Sequence, residues 1–341
     1  FLSLPIIVKL SITVYVDLGL IFFSTASLIS LLKWIESQFQ VKFLILSGIC
    51  CGMALGTKYN GLIVFFLLTV FVPFIYIGQT NKATAEEKAI NKDGSIKNQF
   101  KAIGFGTVFF LVALVVYSPW MIRNYVWKGN PIYPLYNNLI NPKRSISIDT
   151  LEDNSKARGS NAEPQQTSIK KSTPWRSFAI RKVIYGEAWW EIALIPVRIF
   201  FQGQDDNPKY FDGKLSPFLF LLPFFAFIKL RMNPPILRTE KKIFVLFTIL
   251  YILYALSQAD MRIRYIAPII PPLVILSVFG LYQLKSGRIL AEPGLPKGLW
   301  VGSVFIIALV MLGLNADYIR KQFNIVSPFS YLSGRINRDA Y

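Results

Sequence analysis

Long apolar blocks dominate the chain, several of them close to the 20 or so residues a helix needs to cross the hydrocarbon of a bilayer. Residues 61–78, GLIVFFLLTVFVPFIYIG, carry no charge at all. Backbone placed in hydrocarbon must satisfy its own hydrogen bonds, which leaves helices or a closed barrel. A barrel would show short segments of alternating polarity, and these blocks do not alternate. The expected fold class is therefore an all-α membrane protein, a multi-spanning helical bundle. About eight spans are expected, near 13–33, 42–58, 61–78, 102–120, 214–230, 243–257, 265–284 and 298–315.

The formal net charge of +18 raises the question of a nucleic-acid partner. No basic groove motif accompanies it, so no nucleic acid is expected. Membrane topology explains the excess, because Lys and Arg collect in short cytoplasmic loops. One alternate set of loops holds Lys33 and Lys42, then Lys82, Lys88, Lys92, Lys97 and Lys101. It continues with Lys229, Arg231, Arg238, Lys241 and Lys242, then Lys285, Arg288 and Lys297. The short loops of the other set hold only Lys58, Arg262 and Arg264. The first set is expected to be cytoplasmic, which places Asp17, Lys58, Arg123, residues 121–213, Arg262, Arg264 and the tail after 315 on the extracytoplasmic side. Four regions result: transmembrane helices over 1–120, an extracytoplasmic loop over 121–213, transmembrane helices over 214–315 and an extracytoplasmic tail over 316–341. Within the long loop, 141–174 is polar and is expected to be mobile. Residues 188–201, AWWEIALIPVRIFF, are too short to span and suit a helix lying in the interface. The chain opens at Phe1 with neither a methionine nor a signal peptide, and reads as the continuation of a longer polypeptide.

There is no histidine. That removes Ser-His-Asp triads, His-based zinc sites and imidazole proton relays. Cys50 and Cys51 are adjacent within an expected span and suit packing. Asp17, in ITVYVDLGLIFF, is a carboxylate in an apolar run. It reads either as an acid at a helix N-terminus, favoured by the dipole, or as a base or ligand in an outward-facing cavity. Lys58, in GMALGTKYNGL, reads either as a snorkelling lysine or as a cation for an anionic head group. Arg123 stands where SPWMIRNYVWKGNPIYPL leaves the membrane, and Pro119, Pro131 and Pro134 are expected to break that helix. Asp205, Asp206 and Asp212 lie in RIFFQGQDDNPKYFDGKLSP, whose Asp-Asn-Pro and Asp-Gly steps signal turns. An adjacent Asp pair also suits a divalent ion or sugar hydroxyls. Arg262 and Arg264, in RIRYIAPIIPP, are the residue type that contacts phosphate in bidentate fashion.

An acid, several cations and an aromatic interfacial element around one cavity suit a lipid-phosphate substrate. A phosphate leaving group needs cationic stabilisation, and an acceptor hydroxyl needs a carboxylate base. In the order and spacing of VYVDLGLIFF, GMALGTKYNGL, SPWMIRNYVWKGNPIYPL, RIFFQGQDDNPKYFDGKLSP and RIRYIAPIIPP, the chain resembles GT-C class membrane glycosyltransferases. It is closest in style to the family 39-like branch with protein O-mannosyltransferases and the lipid A aminoarabinose transferase. The resemblance implies an inverting hexosyl or pentosyl transferase acting on the extracytoplasmic side, in a bacterial cytoplasmic membrane. The donor would be a polyprenyl- or dolichyl-phosphate sugar, and the acceptor a protein, lipid or glycan among membrane lipids. It places Asp17 at the second acidic position of the family, with the principal base upstream of Phe1. It sets Lys58 and Arg264 near the donor phosphate, with Arg262 beside them and Arg123 as a weaker contact. Asp205 and Asp206 remain as acceptor or sugar contacts or as a turn. If a metal binds, through Asp17, an all-oxygen ligand set suits Mg²⁺ or Mn²⁺. A transporter or flippase of lipid-linked sugars is the alternative, using the same cations for head-group capture.

Overall fold

In the computed structural model, which describes residues 1–83, 93–141, 176–228, 235–256, 261–285, 297–326 and 328–337, the apolar blocks are helices, and no strand occurs among the described residues. In chain order they are α1 (Pro5–Ile12), α2 (Asp17–Glu36), α3 (Val41–Thr57), α4 (Gly61–Ala83), α5 (Asp93–Lys128) and α6 (Asn137–Ile140). Then come α7 (Arg176–Tyr185), α8 (Trp189–Ala193), α9 (Ile195–Phe201), α10 (Phe218–Phe225), α11 (Pro235–Leu256), α12 (Ile270–Lys285), α13 (Lys297–Val326) and α14 (Pro328–Leu332). Five helices among the described residues are long and apolar enough to cross a membrane: Asp17–Glu36, Gly61–Asn81, Ile96–Lys128, Ile263–Leu284 and Gly302–Ile325. The chain is a helical integral membrane protein.

The remaining expected spans look different. Residues 42–58 form α3, a helix of 17 residues. Among the described residues of 214–230, Phe218–Phe225 alone is α-helical, with Pro223 inside it. Of the expected span 243–257, residues 243–256 belong to α11, whose first turns carry Arg238, Glu240, Lys241 and Lys242, and 257 lies outside the described residues. The expected mobile stretch 141–174 lies, from 142 on, outside the described residues.

Two expected helix ends also move. α5 runs through Pro119 to Lys128. Proline has no N–H to give the carbonyl one turn back, but the Ser118 hydroxyl donates to Val115 O at 2.7 Å and satisfies that acceptor instead. The helix stops at Gly129, whose positive φ of 67° suits the residue after a helix end, with its N–H bonded to Tyr125 O. α13 continues beyond 315 because its last turns have partners: Asn315 donates to Ser3 Oγ and Tyr318 to Asp205. The interfacial stretch 188–201 is two short helices meeting at Leu194, with Pro196 in the first turn of the second. Ile192, Ile195 and Ile199 face the protein, while Trp189, Trp190 and Phe201 are exposed.

Helices α2 to α5 pack on one another through small residues, as membrane helices do when backbones approach closely. A Cβ on Gly52 of α3 would lie 2.6 Å from the Ala113 carbonyl oxygen of α5. Ser27 and Ser47 each donate to the other's carbonyl at 2.8 Å across the α2–α3 seam. At the C-terminal end of α2, Trp34 is fully buried against Phe39 and Phe105, with ring centroids 4.9 and 5.3 Å away. α10 lies against α12, where a Cβ on Gly280 would overlap the Leu222 carbonyl. The N-terminal end of α2 is the polar end of the bundle, and the candidate residues gather there.

Candidate functional site

Asp17 is the first residue of α2, where free backbone N–H groups and the helix dipole favour an anion. It is 1% exposed. Lys58 stands at the other side of the α2–α3 pair, in extended conformation just past the end of α3. The chain reverses tightly there: Gly61 N–H bonds to Lys58 O, and a Cβ on Gly61 would sit 2.5 Å from the Ala54 carbonyl oxygen. This turn aims the lysine back at the start of α2, where Lys58 Nζ donates to Asp17 Oδ1 at 2.5 Å. Asp17 Oδ2 is buried and has no hydrogen-bond partner among the described residues. A carboxylate sheltered in this way, half paired and half unspent, has one oxygen available to a substrate proton.

The second wall is a 3₁₀ helix, Ile263–Ile269, with Pro268 inside it, leading into α12, whose first turn holds Pro271 and Pro272. Its Tyr265 ring lies 4.9 Å from Lys58 Nζ, and the Arg264 guanidinium lies 5.2 Å from the same ring. Arg264 also packs on Tyr15, 4.5 Å to the centroid. The Arg264 Nε is buried without a hydrogen-bond partner among the described residues. The Tyr265 carbonyl accepts from Asn60 Nδ2 at 3.2 Å and from the Tyr251 hydroxyl at 3.3 Å, so the turn between α3 and α4 and the helix α11 both pin this wall. Two cations thus share one aromatic ring beside a buried acid.

Next to it lies an ion-pair cluster built by the loop at 202–213. Lys9 of α1 reaches Asp205, Asp206 and Asp212 at 3.1, 3.3 and 3.1 Å. Arg262 meets the other oxygen of Asp212 at 3.2 Å. Burial alone would lower the Lys9 pKa, but the hydrogen bonds to Asp212 and Asp205 and their charges outweigh it and hold the ammonium above its ordinary value. Burial likewise pushes Asp212 up, and the bond and charge of Lys9, the Asp206 N–H and Arg262 together hold it below the usual carboxylate range. Asp206, Phe211 and Asp212 all have positive φ, at 57°, 69° and 40°. The loop is a tight turn, closed by Gly213 N–H to Gln204 O and by Asp212 N–H to Asn207 O.

The structure therefore brings Asp17, Lys58 and Arg264 together, with Arg262, Asp206 and Asp212 one step away. Asp205 faces Lys9 and the Tyr318 hydroxyl, the latter at 2.7 Å. Arg123 stands apart, exposed and held between Trp120 and Trp127 at 4.6 and 4.1 Å. A divalent ion at Asp17 does not fit the donor set: Lys58 holds Oδ1, and no group of three His, Cys, Asp or Glu side chains gathers among the described residues. Lys9, Tyr15, Asn60, Tyr251 and Tyr265 escaped the reading of the sequence. For Lys9 there was a signal, a lone lysine inside the apolar PIIVKLSI eight residues before Asp17.

A further ion triad orders the neighbouring segment. Glu187 accepts from Arg181 Nε and Nη2 at 2.6 and 2.8 Å and from Arg198 at 3.1 Å, and all three are buried. Burial pushes Glu187 up, and the two arginines more than offset it, so its pKa is lowered. This triad ties α7 to α9 and, through Arg181 and the Lys209 carbonyl, to the 202–213 loop.

Residues 1–128 match the family model described as dolichyl-phosphate-mannose-protein mannosyltransferase. No curated protein and no solved structure gives a significant match. The matched part carries Asp17, Lys58 and Arg123 and supports the resemblance to GT-C mannosyltransferases there. Arg262, Arg264 and the 202–213 loop lie outside it.

Proposed function

We propose that this chain carries the donor-phosphate side of a glycosyltransferase that moves a sugar from a dolichyl- or polyprenyl-phosphate to an acceptor hydroxyl on the extracytoplasmic side of the membrane. The observation that carries the reading is the buried Asp17–Lys58 pair, set beside Arg264 across one tyrosine ring, at the polar end of a helical membrane protein. The family match over residues 1–128, with the donor and acceptor its description names, supports it.

The chemistry suits the geometry. A lipid-linked phosphosugar is a phosphodiester with one negative charge. As the bond from the anomeric carbon to the phosphate oxygen breaks, a second charge develops on the leaving phosphate. Lys58 and Arg264 are hydrogen-bond donors placed to meet that charge. The acceptor oxygen forms the new bond to the anomeric carbon from the opposite face, which inverts its configuration. The hydroxyl proton must pass to a carboxylate. When phosphate draws Lys58 away, Asp17 Oδ1 is released beside the already unpaired Oδ2, and Asp17 serves as that base or as the group that orients the acceptor. The protein needs neither histidine nor metal for these steps.

The test is transfer of radiolabelled mannose from dolichyl-phosphate mannose by the protein held in nanodiscs. Lys58→Ala and Asp17→Asn should each lower transfer at least 100-fold while membrane insertion and helix content stay at the parent level. Parent-level transfer by both variants would remove the site assignment.

A further inference from the structure

Beside the proposed phosphate site is a small cavity of about 120 Å³ between α1, the 202–213 loop and the 3₁₀ helix, with Asp206 at its exposed rim. Its polar lining is Lys9, Thr13, Tyr15, Asp206, Asp212 and Arg264. The balance of charge decides what it can hold. Two cations face two carboxylates, and Lys9 is already engaged by three acids. A phosphate would meet Asp206 and Asp212 and gain little from Lys9. A neutral group rich in hydroxyls meets no such penalty. Carboxylate oxygens accept from hydroxyls while keeping their bonds to Lys9, and the buried, unpartnered Arg264 Nε offers a donor. Tyr15 is 46% exposed and presents an aromatic ring. The C–H face of a sugar ring packs on such a surface.

The loop itself is held in a costly conformation. Three non-glycine residues with positive φ within seven positions, Asp206, Phe211 and Asp212, are strain of the kind that persists where the surroundings impose it, often at binding sites. Position adds to this. Tyr15 is two residues before Asp17, and Arg264 belongs to both the cavity and the phosphate site, so a ring seated here would have its anomeric carbon near the phosphate.

We propose that this cavity is a subsite for the sugar ring of the lipid-linked donor, with Tyr15 as its stacking platform, Asp206 and Asp212 as hydroxyl acceptors, and Arg264 joining ring and phosphate. The proposal rests on the donor reading above, and a sugar ring could also arrive on a glycan acceptor. The experiment separates these cases. Binding of dolichyl phosphate, dolichyl-phosphate mannose and methyl α-mannoside is measured on the protein in nanodiscs, for the parent and for Tyr15→Ala, Tyr15→Phe and Asp206→Asn. Asp206 is a mild site for substitution, its side chain being 90% exposed.

Tyr15→Ala and Asp206→Asn should weaken dolichyl-phosphate mannose at least tenfold and leave dolichyl phosphate within twofold, and Tyr15→Phe should keep parent affinity. Equal losses for both lipids, or no loss for either, overturn the subsite while leaving the lipid-phosphate reading in place. Losses confined to methyl α-mannoside assign the ring to an acceptor and overturn the donor assignment. A parent protein that binds neither lipid defeats the proposed function itself, and the donor subsite with it.

Discussion

Asp17 and Lys58 are unequal partners, and the inequality makes a prediction. The Asp17 side chain is 1% exposed and that of Lys58 21%. Removing one member of a buried pair leaves an uncompensated charge, at about 3–5 kcal/mol, whereas removing both is far milder. Lys58→Met strands the more buried charge and should lower thermal stability most. Asp17→Asn leaves Lys58 with its Tyr265 contact and some access to water, and should cost less. The double variant should recover much of the stability and none of the transfer. Thermal unfolding in detergent, beside the transfer assay, checks both parts. Additive stability losses in the double variant would mean that the two side chains do not interact. The residue types at this site were legible in the sequence, since a lone carboxylate and a lone lysine in apolar runs are conspicuous. Their partnership was not, because positions 41 residues apart meet only once the turn at Gly61 has set the direction of Lys58.

Elements explain what the residues alone do not. The 3₁₀ helix carrying Arg264 and Tyr265 is fixed by Ile263 N–H to Phe211 O at 2.8 Å and by the chain Lys9–Asp212–Arg262. Lys9 is therefore a positioning residue: it touches Asp212, which holds Arg262, two residues before Arg264. Lys9→Met leaves Asp205, Asp206 and Asp212 uncompensated, with Arg262 the remaining cation on Asp212 and the Tyr318 hydroxyl on Asp205. Transfer should fall about tenfold at pH 7 and recover partly as pH falls, because Asp212 without Lys9 takes up a proton more readily. Lys9→Arg should restore activity without this acid recovery, and a pH-independent loss in Lys9→Met would mean simple packing damage. The Glu187 triad makes a second prediction from pH. Its folded pKa is held below the ordinary carboxylate value of 4.5, so its stabilisation is present above that value and lost as pH falls through the folded one. Amide protection over α7 to α9 should drop in that acidic window, and Glu187→Gln should flatten the dependence. Neither device was readable beforehand. Asp205, Asp206 and Asp212 sat in obvious turn sequence, but their cation came from a short helix nearly 200 positions away. The passage of α5 through Pro119 depended on one serine hydroxyl.

At the scale of the whole molecule, the polar groups of the candidate site gather at one end. Asp17, Lys58, the two arginines of RIRYIAP, the 202–213 loop and the Glu187 triad are linked there by contacts, while Trp34, Phe39, Tyr76 and Phe105 close the other end with edge-to-face and tilted rings. This separation was readable from loop charges, because the loops rich in Lys and Arg and the loops holding the candidate residues alternate along the chain. It follows from the cost of charge in hydrocarbon: each polar side chain must reach water at one surface, and helices that reverse at every turn sort them into two groups. The charge bias predicts a cytoplasmic Trp34 end, and the proposed transfer needs the Asp17 end outside. Cysteine labelling tests this directly. In a Cys50→Ser, Cys51→Ser background, Lys182→Cys reports the Asp17 end and Lys33→Cys the Trp34 end, both side chains being exposed. A membrane-impermeant maleimide added to intact cells should label Lys182→Cys and reach Lys33→Cys only after permeabilisation. The reverse pattern would put the Asp17–Lys58 pair on the cytoplasmic face and rule out extracytoplasmic transfer. With the expected pattern, the proposed donor site and sugar cavity lie at the membrane surface at which an acceptor outside the cell would arrive.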